Sequence, residues 1–137
     1  MKPSHFPSKE PIRVLVIDDD DIARMAMVDL LEAAGLQVSD LPSPIGATQK
    51  LLQEQIDVVV LDVMMPSLRG DKLANLLRKN PRLQHLGVIL VTGALPDELH
   101  EVAGQVEAHA VIEKARIDEA LVDAVNRAAR ASLELRS

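Results

Sequence analysis

The chain has 137 residues, 47% of them hydrophobic, and a formal net charge of −6. That length predicts one domain able to bury its own core, and the acidic balance argues against a nucleic-acid-binding face. No apolar run approaches the roughly 18 residues of a membrane span, Met1 to Ser8 lacks the apolar stretch of a secretory signal, and without cysteine there is neither a disulfide nor a thiolate metal site. These features fit a cytoplasmic protein. Trp and Tyr are absent and the single Phe is Phe6, so the core is aliphatic and no aromatic platform exists for stacking bases. Residues 1–11 read as a flexible tail and 12–132 as the domain. Residues 133–137 read as its end or the start of a linker.

Strand and helix patterns alternate from Ile12 onward. Ile12 to Ile17 is an apolar run of strand length, and it ends in Asp18-Asp19-Asp20-Asp21. After it, Ile22, Met25, Ala26, Leu30, Ala33 and Ala34 fall close to one helical stripe. Asp20 and Asp21 read as caps of that helix, and Gly35 ends it. Leu36 to Leu41 is a short strand. Ser43-Pro44 predicts the next helix start, with a hydroxyl cap and proline at the first helical position, running to about Gln55. Val58 to Leu61 is continuous and β-branched, as in a strand covered on both faces. Met64 and Met65 read as packing residues. A helix is expected from Gly70 to about Asn80, stopped by Pro81. Gly87 to Val91 is a strand, Pro96 opens a helix that Gly104 ends, and Ala108 to Glu113 is a strand. Arg116 to about Leu133 is a last amphipathic helix. Five strands alternating with five helices imply right-handed crossovers and a doubly wound parallel α/β sheet. His5, His85, His100 and His109 show no paired ligand spacing and read as ordinary surface or core residues.

In such a sheet, ligands bind just outside the carboxyl ends of the strands. Here those ends carry Asp18 and Asp19, Asp62, Thr92-Gly93, and Lys114. Two carboxylates ~5 Å apart at an effective dielectric of ~20 repel by about 3 kcal/mol. The cluster of Asp18, Asp19 and Asp62 therefore calls for a cation, and an all-oxygen donor set suits Mg²⁺ or Mn²⁺ rather than zinc. A screened carboxylate can attack phosphorus and form an aspartyl phosphate, a role suited to Asp62. The transferring group carries its charge on its peripheral oxygens. The Thr92 hydroxyl and the Lys114 ammonium would stabilise two of them.

The residues Val14-Leu15-Val16-Ile17-Asp18-Asp19-Asp20, Leu61-Asp62-Val63-Met64-Met65-Pro66 with Gly70, Val91-Thr92-Gly93-Ala94 and Glu113-Lys114 resemble the receiver domain of bacterial two-component response regulators. The resemblance runs from about Ile12 to Ala131. It implies a flavodoxin-like (βα)5 three-layer sandwich with strand order 2-1-3-4-5. It implies Asp62 as phosphoacceptor, with Asp18, Asp19, Asp62 and the Met64 main-chain carbonyl as ligands of Mg²⁺. Thr92 and Lys114 would contact the phosphoryl group. The implied partners are a histidine kinase or phosphotransfer protein and a downstream effector. A homodimer through the face of residues 96–104, 108–113 and 116–133 is the implied self-association. Direct nucleic-acid or membrane binding is not implied.

Two positions depart from the family pattern. Ala115 follows Lys114 where the family has a cis proline. A cis bond before a non-proline residue costs roughly 3–4 kcal/mol, so the 114–115 bond is expected to be trans. Val111 stands where the family usually has an aromatic ring that turns inward on activation, so switching is expected to be weaker or different. Two rival readings remain open at this point. One is a receiver-like adapter that binds its partner without phosphorylation. The other is a phosphatase of the haloacid dehalogenase type, with Asp18-Asp19-Asp20 as its nucleophile motif.

Overall fold

Alternating apolar runs become the interior of a parallel sheet. The structure is a computed structural model and describes residues 11–65, 68–93, 104 and 107–136. Five strands, β1 (Arg13–Ile17), β2 (Gln37–Leu41), β3 (Val58–Asp62), β4 (Gly87–Thr92) and β5 (Ala110–Glu113), lie in the order β2-β1-β3-β4-β5. This is the expected flavodoxin-like order, and every pairing is parallel. Helices α1 (Asp21–Ala33), α2 (Ala47–Gln53), α3 (Gly70–Arg78) and the C-terminal helix (Ile117–Arg136) flank it. The expected helix from Pro96 to Gly104 lies outside the described residues, apart from Gly104.

Successive side chains of a strand point to opposite faces, and each face has its own core. Leu15, Ile17, Val59, Leu61, Val88 and Leu90 meet Leu51 of α2 and Leu73, Ala74 and Leu77 of α3. Val14, Val16, Val58, Val60, Ile89 and Val91 meet Met27, Val28 and Leu31 of α1 and Leu121 and Val125 of the C-terminal helix. All residues of β3 and β4 are buried. Each buried Val, Leu or Ile side chain contributes about 1.5–3 kcal/mol of apolar transfer. Helix, sheet and helix form the expected three layers.

Several local expectations change. Asp20 caps α1 as expected, accepting from the Ile22 and Ala23 amides at 3.0 and 3.3 Å. The buried stripe of α1, however, is Arg24, Met27, Val28 and Leu31. Ile22 and Met25, in the stripe read from sequence, are 84% and 50% exposed. Half of the stripe read from sequence is alanine (Ala26, Ala33 and Ala34), which offers far less apolar surface than Met27, Val28 and Leu31, and of its larger residues Leu30 packs partly against the core. The second helix begins at Ala47, not at Pro44. Gly46 takes a left-handed φ of 82° that interrupts any helix begun at Pro44. Ser43 Oγ instead accepts from the Ile45 amide at 3.3 Å, closing a local turn. Gly35, at φ 89°, ends α1 as expected. Met65 is buried, but Met64 is exposed and does not pack in the core. The 114–115 peptide is trans, as no described residue has a cis bond. No described helix is long and apolar enough to cross a membrane.

Candidate functional site

β1 and β3 are neighbours, so the residues at their carboxyl ends meet. Asp18 directly follows β1, and Asp62 is the last residue of β3. Both are buried, while Asp19 is exposed. Carboxylate oxygens of Asp18, Asp19 and Asp62 all lie within 4.8 Å of one another. Lys114 follows β5 and reaches back across β4. Its Nζ stands 3.3 Å from Asp18 Oδ2 and 3.4 Å from Asp62 Oδ2. Thr92 ends β4, between these elements, and is fully buried. An open cavity of about 480 Å³ covers the site, lined by Asp19, Asp20, Asp62, Met64, Gly93 and Lys114. Asp18 lies beneath it, and Thr92 is not part of its lining.

Asp62 is bonded through both carboxylate oxygens, its Oδ2 accepting from Lys114 Nζ at 3.4 Å, whereas Asp18 is bonded through one. Asp62 Oδ1 accepts from the Met64 amide at 3.0 Å, and Asp18 Oδ1 accepts from the Asp20 amide at 2.9 Å. Among the described residues the buried Asp18 Oδ2 has no hydrogen bond, although Lys114 is near enough for an ion pair. Burial pushes the Asp18 carboxyl up to about 6; the Asp20 amide opposes this shift, and the Asp62 charge adds to it. Burial alone would lower the Lys114 ammonium, but the two carboxylates outweigh it and raise its pKa. An orphaned buried oxygen, neighbouring carboxylates and no nitrogen or sulfur donor fit a hard divalent cation. Asp20 Oδ1 accepts both capping bonds of α1, which gives this residue a structural role at the edge of the cavity.

Two contributors were not recognised from sequence. Arg24 sits under the site and donates to the Asp18 carbonyl oxygen at 2.7 Å. Its signal was a charged residue spaced with Met27, Val28 and Leu31 on an otherwise apolar face. Gly70 reads from sequence as a helix start and part of the motif, but not as a close contact, yet a side chain there would strike the Asp62 main chain.

A parallel sheet of this order, with acids and a lysine converging at its carboxyl edge, defines a flavodoxin-like domain built for charged ligands. The family profile of the response regulator receiver domain matches residues 14–126. The chain belongs to that family and is a receiver domain of two-component signalling. It is 36% identical over 124 residues to transcriptional regulatory protein FixJ of Azorhizobium caulinodans, covering 90% of this chain and 56% of that one. It is 32% identical over 113 residues to a protein-glutamate methylesterase/protein-glutamine glutaminase of Archaeoglobus fulgidus, covering 82% and 32%. The chain spans 12% to 56% of the length of such curated relatives. Among solved structures, a receiver domain protein from Clostridium thermocellum superposes with a TM-score of 0.80 at 27% identity, covering 90% of this chain and 98% of that one. A receiver domain from Methanospirillum hungatei gives 0.81 at 21% identity, covering 92% and 99%, which speaks to the fold. Receiver domains bind Mg²⁺ at an acidic pocket and act with kinases and effector domains. The family is not in general one of enzymes, although some relatives carry enzyme domains.

Proposed function

We propose that this domain accepts a phosphoryl group on Asp62 from a histidine kinase or phosphotransfer protein and thereby changes how it engages a downstream effector. The Asp62 carboxylate attacks phosphorus, a new P–O bond forms, and the bond to the donor nitrogen breaks. Asp18, Asp19, Asp62 and the Met64 main-chain carbonyl would hold Mg²⁺, which, when bound, neutralises charge on the transferring group. The Lys114 ammonium stabilises a second phosphoryl oxygen, and the Thr92 hydroxyl donates to a third. The domain catalyses only its own phosphorylation and dephosphorylation.

The observation that carries this reading is the convergence of Lys114 Nζ on Asp18 and Asp62, at 3.3 and 3.4 Å, beside an open cavity. An adapter with no phosphoryl chemistry has no need to keep a lysine between two buried acids. Incubation with acetyl phosphate and Mg²⁺, followed by intact mass, tests the proposal. One labile phosphoryl group per chain is expected, lost on acidified hydroxylamine treatment. An unchanged mass would support the adapter, and release of free phosphate through Asp18 would support the phosphatase.

A further inference from the structure

Arg24 is the charged residue that α1 turns into the protein. Its guanidinium divides its donors among three parts of the chain. Nη1 donates to the Asp18 carbonyl oxygen at 2.7 Å, Nε to Asp40 Oδ2 at 2.8 Å, and Nη2 to Asp21 Oδ1 at 2.6 Å. Those acceptors follow β1, lie in β2, and open α1 respectively. The side chain is only 11% exposed, a costly place for a cation whose partners are not aligned. Burial alone would lower its pKa, but the Asp21 and Asp40 carboxylates outweigh this and keep the charge in place.

What this arrangement controls is Asp18. The Asp18 amide donates to the Leu41 carbonyl oxygen at 3.2 Å. Its carbonyl oxygen accepts from Arg24, and its Oδ1 accepts from the Asp20 amide. Among its polar atoms, Oδ2 alone has no hydrogen bond to a described residue, and it faces Lys114. Removing Arg24 would leave the buried Asp18 carbonyl oxygen without that donor and free the end of β1 to move. Asp19 is the next residue and would move with it.

We infer that Arg24 is a positioning residue for the divalent cation: its planar fork ties the main chain at Asp18 to β2 and to the first turn of α1, and so sets where the Asp18 and Asp19 carboxylates stand. This rests on the cation-dependent reading of the site given above. The role requires the fork and not the charge alone. A lysine ammonium is a point charge and cannot present the fixed planar donor set of a guanidinium. Groups that orient metal ligands typically change affinity about 10–100-fold when replaced.

The test is a Mg²⁺ titration of the full chain followed by amide chemical shifts, for wild type, Arg24→Lys and Arg24→Gln. It is run at a temperature where circular dichroism shows each protein fully folded. Arg24→Lys is expected to weaken Mg²⁺ binding about 10-fold. Before any Mg²⁺ is added, it is also expected to shift the amides of Asp18, Asp19 and Asp20. Labelling by acetyl phosphate at saturating Mg²⁺ is expected to recover most of the wild-type rate, because Arg24 does not touch the phosphoryl group. Wild-type affinity in Arg24→Lys would show that charge suffices and overturn the inference. If Arg24→Lys and Arg24→Gln do not fold, Asp40→Asn is titrated in high salt, where long-range charge effects are screened. Affinity equal to wild type in that salt would overturn the inference too. A wild-type protein that binds no Mg²⁺ would sink the proposed function and this inference together. Normal wild-type binding with unaffected variants would sink only the role of Arg24.

Discussion

A methyl group added to Gly70 would collide with the main-chain carbonyl of Asp62. The first residue of α3 is therefore packed against the backbone of the proposed phosphoacceptor, and the Gly70 amide donates to the Val63 carbonyl oxygen at 3.0 Å. The contact is with main chain, which cannot swing aside as a side chain would. Gly70→Ala is expected to cost about 1–3 kcal/mol through overpacking and to slow labelling of Asp62 as well. Chemical denaturation and the acetyl phosphate reaction check the two effects. An unchanged rate of labelling would show that Asp62 tolerates the displacement.

Asp62→Asn is expected to abolish labelling and keep the fold. Asparagine retains an oxygen to accept the Met64 amide bond seen at 3.0 Å, but not the nucleophilic carboxylate. Intact mass after acetyl phosphate treatment gives the answer. Labelling that survived would place the acceptor elsewhere.

Mg²⁺ is expected to stabilise the folded chain, because the unfolded chain does not assemble Asp18, Asp19 and Asp62. At ~100 times its dissociation constant, a ligand of the native state alone adds about 2.7 kcal/mol. Thermal unfolding with and without millimolar Mg²⁺ measures this. Asp18→Asn is expected to lose most of the gain, since it replaces a buried carboxylate of the proposed cation site with an amide. Equal melting temperatures for wild type with and without Mg²⁺ would contradict the cation site.

The central strands and the ends that meet were legible because their signal is local. Val58 to Leu61 has to be covered on both faces, and the residue ending such a run stands at the sheet's carboxyl edge. What was not legible depends on competition between faces. Two stripes on α1 satisfy helical spacing, and only packing decides for Met27, Val28 and Leu31 over the alanine-rich alternative. The role of Arg24 was hidden for the same reason, since its partners Asp18, Asp21 and Asp40 come together only when α1 docks. Ser43-Pro44 read as a helix start because the cap signal is local, whereas the left-handed Gly46 that delays the helix is not distinguishable from sequence. The burial of Thr92 shows a further limit. A strand end locates the residue, but its complete burial depends on the neighbours that cover it.

His109 gives a pH dependence with a defined sign. Its Nδ1 accepts from the Val88 amide at 3.2 Å, and its own amide donates to the Val88 carbonyl oxygen at 2.8 Å. Burial, and secondly the Arg78 guanidinium, hold its pKa below the ordinary 6.5. The folded state keeps the imidazole neutral where the unfolded state takes up a proton. The contribution to stability is thus fully present above about pH 6.5 and is lost as pH falls below that value through the folded pKa. His109→Asn offers an oxygen in place of Nδ1 and cannot titrate. Urea midpoints for both proteins between neutral and mildly acidic pH are expected to converge as pH falls. A difference independent of pH would remove His109 as the cause.

Ser132 is fully buried in the C-terminal helix, and its Oγ has no hydrogen-bond partner among the described residues. A desolvated hydroxyl left unbonded costs about 1–3 kcal/mol. Alanine removes that group, leaves only an oxygen-sized gap, and is the better helix former. Ala128 and Ala129 already pack on the same stretch of helix, so a small apolar side chain suits the surroundings. Ser132→Ala is therefore expected to raise stability by about 1 kcal/mol, read as a higher melting temperature with unchanged Mg²⁺ binding. A lower melting temperature would mean that a buried water or another group bonds the hydroxyl in solution and that the serine stabilises the helix.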